Sequence, residues 1–233
     1  MRVLAVGAHP DDVEILCAGT LAKCAARGDE VHIAVATDGA AGHKVILPPE
    51  LAEIRRREAT AAAQLIGAQI NFLAEPDELL FEDERTRLKM IDALRVADPD
   101  LIITHGPEDY HPDHLTCSRL VFGASFVSSV PNIKTEHAAQ EKIGALYYMD
   151  TVAGAGFLPE EYVDITDTFV QKREMLSQHE SQLTWLKEHD DIDILEFVET
   201  VARFRGLQCG VQYAEGFRAA HIWPRQKAER LLP

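Results

Sequence analysis

The chain is poor in cysteine, and its four residues (Cys17, Cys24, Cys117 and Cys209) are scattered with no C-x-x-C pair. That spacing argues against a disulfide framework and for reduced, mainly buried thiols in a cytoplasmic protein. Basic residues are scarce as well, 23 Lys and Arg against 38 Asp and Glu, for a formal net charge of −15. Such a surface repels polyphosphate and anionic lipid, so nucleic acid and membrane surfaces are poor partners, and a small neutral or cationic molecule is a better one. No stretch approaches the ~20 apolar residues that a spanning helix needs. Met1 leads directly into an apolar run, Val3-Leu4-Ala5-Val6, without the basic region and cleavage site of a secretory signal. No G-x-G-x-x-G follows that run, which removes the usual dinucleotide cradle. Internal repeats and low-complexity tracts are absent too.

What is present is enough apolar material, 46% of 233 residues, for the core of one domain spanning residues 1–233. Periodicity predicts strands at 2–8, 30–37, 70–73, 101–104 and 145–149, with a short sheet element at 162–165. Between them lie helical patterns: a stripe from Ile15 to Ala25 that stops at Gly28, then 50–66, 84–96 and 112–128. A long helix capped by Thr166 or Asp167 is expected to run through His189, and one capped by Asp193 to end at Gly206. Alternation of this kind implies an α/β fold, a Rossmann-like, mostly parallel sheet flanked by helices. Ligands of such sheets sit beyond the carboxyl ends of the strands, where the strand order reverses. An order 3-2-1-4-5 makes strands one and four neighbours at that point.

Each of these two strands ends on the same kind of corner. Ala8-His9-Pro10-Asp11-Asp12 follows the first, and Tyr110-His111-Pro112-Asp113-His114 comes shortly after the fourth. Pro10 suits the first position of a helix, and the spacing of three can bring His9 and Asp12 to one side of that turn while Asp11 points elsewhere. A catalytic zinc takes three protein ligands from His and carboxylate and keeps one position for water; His9, Asp12 and His114 supply that set. A site of this composition also accepts Fe²⁺. Asp11 is then placed to act as general base, and His111 to stabilise an oxyanion or protonate a leaving amine. Asp113 is the carboxylate expected to raise the pKa of His111 or hold its orientation. The other histidines, His105 among them, read as core or surface residues, with His43 and His179 as candidates for the pocket rim. Two other classes compete with amide hydrolysis: a phosphoesterase using the same ligands, and a non-catalytic sugar- or nucleotide-binding module.

These motifs resemble the LmbE-like, or PIG-L, family of zinc-dependent N-acetylglucosamine deacetylases. The resemblance rests on AHPDDVE at 8–14, T-D-G-x-x-G at 37–42, R-x-x-E with L-x-G from Arg55 to Gly67, and HPDH at 111–114. Later pieces, His179-Glu180-Ser181-Gln182 and Ala214-Glu215-Gly216-Phe217, resemble family motifs in the expected order. It implies the same zinc ligands, base and oxyanion residue, and it adds Arg55 and Asp77 as contacts to sugar hydroxyls or the acyl group. Glu215 and Gln182 are read as bracing loops. Family analogy implies a small amino-sugar substrate and makes a homo-oligomer plausible. The chain departs from many members in having Ala40 and Ala41 where an acidic residue stands in the second-strand loop.

Overall fold

Strand β1 (Arg2–Gly7) is buried on both faces because it lies in the middle of a sheet that is covered on both sides. In this computed structural model, which describes residues 1–225 and 227–233, Val3 and Ala5 face one core and Leu4 and Val6 the other. The alternation repeats in β2 (Glu30–Thr37) and β4 (Leu101–Thr104), which explains their uninterrupted apolar runs. With β3 (Gln69–Glu75) and β5 (Ala145–Met149), these strands pair in parallel. Strand β7 (Ala214–Ala219) joins β5 antiparallel, and β6 (Glu161–Asp164) closes the edge against β7. The order is β3-β2-β1-β4-β5-β7-β6, so the expected adjacency of the first and fourth strands holds.

Helices α1 (Asp12–Leu16), α2 (Ala18–Ala26), α6 (Phe169–Ser177) and α8 (Ile194–Cys209) contribute to the core on one face. Helices α4 (Glu84–Ala97) and α5 (Pro112–Val127) cover the other, and α3 (Pro48–Gln64) packs against β3 and α6. Three cysteines are buried, but Cys209 at the end of α8 is exposed. No helix among the described residues is long and apolar enough to cross a membrane.

Two helical expectations need correction. The long helix through His189 is broken at Gln178 and His179, so that α7 (Glu180–Asp190) is a separate element. His179 is fully buried there, and its backbone (φ −85°, ψ 56°) leaves the helical region. The start of α6 is also later than expected: Thr166 and Asp167 precede it, and the hydroxyl of Thr166 donates to Asp164 (2.6 Å).

The bracing role of Glu215 is borne out by its contacts. Helix α2 has no capping side chain of its own, and Glu215 reaches in from β7 to accept from the N–H groups of Gly19 (3.0 Å) and Thr20 (2.8 Å). Its Oε1 also accepts from the Lys172 ammonium at 2.5 Å, and both side chains are almost wholly buried. Removing one partner leaves a charge in the core. Glu215→Ala is therefore expected to cost about 3–5 kcal/mol, the usual range for an orphaned buried ion. A thermal midpoint lower by roughly 10 °C would register it. Replacing both residues by apolar ones of similar size should recover much of the loss; equal unfolding curves for Glu215→Ala and wild type would refute the argument.

Candidate active site

The sheet registers bring the remote corners together. Gly7 pairs with Val35 and Val6 with Thr104, so the loops leaving β1, β2 and β4 emerge side by side at the carboxyl edge. The loop after β3 joins them, since Thr37 pairs with Glu75.

At the first corner Pro10 lies in a turn, not at the first helical position; Asp11 is the N-cap of α1 and Asp12 its first residue. His9 consequently stands before the helix, with its N–H donating to Asp12 Oδ2 (2.6 Å) and its Nδ1 3.3 Å from the same oxygen. The second corner has the expected form, with Pro112 opening α5 and His111 as N-cap.

Asp12, buried, stands between the two imidazoles. Its Oδ2 faces His9, and its Oδ1 lies 3.2 Å from His114 Nε2. On the far side His114 Nδ1 meets Asp109 Oδ2 at 3.1 Å, and His9 Nε2 faces Asp77 Oδ1 (3.3 Å) and Asp113 Oδ2 (3.5 Å). Both rings thus present one nitrogen to Asp12 and lean the other on carboxylates, the arrangement that orients metal-ligating histidines. Donor atoms of His9, His111 and His114 lie within 4.8 Å of one another, as do those of Asp12, His105 and His114, and His114 belongs to both groups. The His9, Asp12 and His114 set straddles them. His9 Nε2 and Asp77 Oδ1 are buried without a well-formed hydrogen bond among the described residues. This donor set suits a divalent cation of borderline softness.

Burial opposes charge on both rings, but carboxylates prevail: Asp12 and the Asp109 hydrogen bond raise His114 to about 9, and Asp12 raises His9 well above its usual value. Burial also opposes ionisation of Asp12, yet His114, His105 and His9 hold its pKa well below the ordinary carboxylate range. A cluster that prefers two cationic rings around one anion is primed for exchange of protons for a metal ion.

Asp11, also buried, turns away from Asp12. Its Oδ1 lies 3.0 Å from Arg55 Nη2, while Arg55 Nη1 donates to the carbonyl of Gly39 (2.8 Å). Arg55 is 3% exposed, unlike its solvated neighbours Arg56 and Arg57, and its guanidinium is occupied with Asp11 and the β2 loop. Arg55 lines the cleft as well, so the contact with Asp11 stands beside the substrate contact that the resemblance implied. Gly39 has φ +64°, and a Cβ there would come within 2.6 Å of Pro10 Cδ and 2.7 Å of Arg55 Nη1. Gly39→Ala is expected to displace Arg55 and lower kcat by about tenfold or more, since small misplacements of reacting groups are costly. Steady-state kinetics beside an unfolding curve would check it; wild-type kcat would remove the loop from the argument.

Asp77 also lines the cleft. Its Oδ2 accepts from Ala41 N–H (2.9 Å) while Oδ1 faces His9, so a carboxylate from the β3 loop meets the segment where this chain has Ala40 and Ala41. Asp113 corrects another expectation: its carboxylate accepts from the N–H groups of Glu78 (2.9 Å) and Leu80 (3.3 Å) and does not orient His111. The acid beside His111 is Glu78, with Oε1 3.4 Å from Nε2. His111 Nδ1 accepts from Asp113 N–H (3.3 Å), which assigns the proton of the neutral ring to Nε2. Burial and the neighbouring rings of His114 and His9 lower its pKa, which favours the neutral ring and the oxyanion role over proton donation to a leaving amine.

His105, read from sequence as an ordinary core or surface residue, stacks on His114 at 3.9 Å and lies 3.2 Å from Asp12 Oδ2. Its place one residue beyond β4 was the available signal. Gln182 lines the cleft in addition to any bracing role. His43 stands beside Trp185 at the cleft edge, whereas His179 is buried against Glu14 (3.5 Å). The cleft has a volume of about 300 Å³, and His9, His111 and His114 are among the residues that line it.

A parallel α/β sheet with a histidine and carboxylate cluster at its switch point has the architecture of a metal-dependent hydrolase. The chain belongs to the PIG-L family: residues 4–125 match its profile, described as GlcNAc-PI de-N-acetylase. Among solved structures, N,N'-diacetylchitobiose deacetylase from Pyrococcus horikoshii is 30% identical, with TM-score 0.82, over 95% of this chain and 86% of that one. A 1D-myo-inositol 2-acetamido-2-deoxy-alpha-D-glucopyranoside deacetylase from Corynebacterium diphtheriae is 24% identical over 83% of this chain and 80% of its own. A 4-oxalmesaconate hydratase from Pseudomonas putida is 25% identical over 95% and 89%.

Proposed function

We propose that residues 1–233 form one zinc-dependent deacetylase domain that removes an acetyl or other small acyl group from the amine of an N-acetylglucosamine-type sugar or related small amide. One observation carries this reading: His9 and His114 share Asp12, while Asp11, next to Asp12 in sequence, is engaged by Arg55. His9, Asp12 and His114 would hold the ion. When bound, it supplies Lewis acidity at the amide carbonyl and makes nearby water more acidic. Asp11 takes the proton of the attacking water. Arg55 fixes the direction in which that carboxylate faces. His111 donates from Nε2 to the oxygen on which charge develops. As the C–N bond breaks, the proton held on Asp11 passes to the leaving amine, giving amine and carboxylate.

The hydratase relative makes hydration of an unsaturated acid the second reading. Charge weighs against it: Asp11, Asp12, Asp77 and Glu78 line the cleft, and among the described residues its one Lys or Arg is Arg55, already paired with Asp11. A phosphoester substrate meets the same objection. The deciding assay measures amine release from N-acetylated amino sugars beside phosphate release and hydration. Amine release should vanish on chelation and return with Zn²⁺, with Fe²⁺ as the comparison. Hydration or phosphate release without amine release would overturn the reading.

A further inference from the structure

Part of the cleft is walled by α7, the helix set off by the break at His179, and by the start of α8. Helix α7 buries none of its residues, yet it presents Trp185 and Leu186 to the cleft, where Ile192, Ile194 and Phe197 continue the wall. Ile15 and Val152 face the same space. Of the wall residues only Ile194 is fully buried, so these are apolar groups left partly in contact with solvent at a binding cleft. Trp185 is fixed in place: His189 stacks on it at 4.3 Å, and the Lys44 ammonium stands 5.7 Å from its ring centre.

A free amino sugar can lay its C–H face on Trp185, but the hydroxyls around its rim find no partner on Leu186, Ile192, Ile194 and Phe197. The wall is suited instead to carbon. We propose that the preferred substrate carries an apolar group, of phenyl or short-alkyl size, that packs on the wall of Trp185, Leu186, Ile192, Ile194 and Phe197 while its amide faces the histidine cluster. This rests on the deacetylase reading and names the substrate class of that site. The shared chemistry is an apolar substituent, which either the aglycone or the acyl group can supply.

The test compares kcat/KM for amine release from N-acetylglucosamine, its phenyl and octyl glycosides, and N-hexanoylglucosamine. Calorimetric binding of glucosamine and octyl glucosaminide is measured alongside. A gain of about 10- to 100-fold over N-acetylglucosamine is expected in one arm, the range hydrophobic pockets supply, and the arm identifies the side that carries the group. Trp185→Ala and Phe197→Ala should each shrink that ratio, and Trp185→Phe should restore most of it. If N-acetylglucosamine is cleaved as fast as every apolar derivative and the octyl amine binds no tighter, the proposal falls. If no amide is cleaved but the octyl amine binds more tightly in a Trp185-dependent way, the wall stands and the deacetylase reading falls.

Discussion

Asp11→Asn should turn over substrate on the order of 10²–10⁴ more slowly than wild type, the share supplied by a general base, with its metal content unchanged. The substitution keeps size and one oxygen but removes the proton acceptor. Asp11 makes no close contact with either imidazole of the proposed ligand set; its partner is Arg55, at 3.0 Å. Metal retention therefore separates a catalytic defect from a collapsed site. Arg55→Met should lower kcat as well, with less effect than removal of the carboxylate. Wild-type turnover by Asp11→Asn would exclude Asp11 as the base and return that role to another carboxylate of the cleft.

His114→Ala should lose the metal itself, and turnover with it. His114 is nearly inaccessible, with Asp12 on one nitrogen and Asp109 on the other, and it is the residue common to both groups of converging donor atoms. Asp109→Asn offers a graded comparison: a carboxylate behind a metal-ligating histidine typically contributes 10–100-fold in affinity. With Asp12 and Asp109 raising His114 to about 9 against the effect of burial, metal uptake must displace a proton. Below that pH the ring is protonated, so apparent affinity should fall as pH falls. Elemental analysis of the purified variants and metal titration at two pH values measure these effects. Full metal occupancy in His114→Ala would rule His114 out as a ligand.

The two corners were legible because each lies just beyond an apolar strand, and sheet topology then determines whether they meet. His9, Asp12 and His114 were accessible to that reasoning. The partners of Asp77, Asp113 and Arg55 were not, because they depend on the path of loops that carry no periodicity. Asp113 directly follows Pro112, the counterpart of Pro10, in a motif that suggests local pairing with His111, yet the backbone N–H groups of Glu78 and Leu80 compete successfully for its carboxylate. His105 had no neighbouring motif to mark it, although it is more deeply buried than either proposed imidazole ligand. Strand β7 was missed for another reason: Ala-Glu-Gly-Phe-Arg-Ala is a poor strand sequence by propensity, and its pairing between β5 and β6 overrides that preference. Its Glu215 reads as a loop brace, and only the packed fold reveals that it caps α2 and pairs with Lys172.

The break at His179 has a consequence for how new specificities arise on this scaffold. Every side chain assigned to bond cleavage lies in the first half of the sequence, whereas the wall of Trp185 to Phe197 comes from a short stretch in the second half, the end of α7 and the start of α8. Chemistry and selection of the cargo are thus encoded in separate parts of the chain. Exchange of residues 180–197 alone between relatives would retarget the enzyme while leaving its reactive groups untouched.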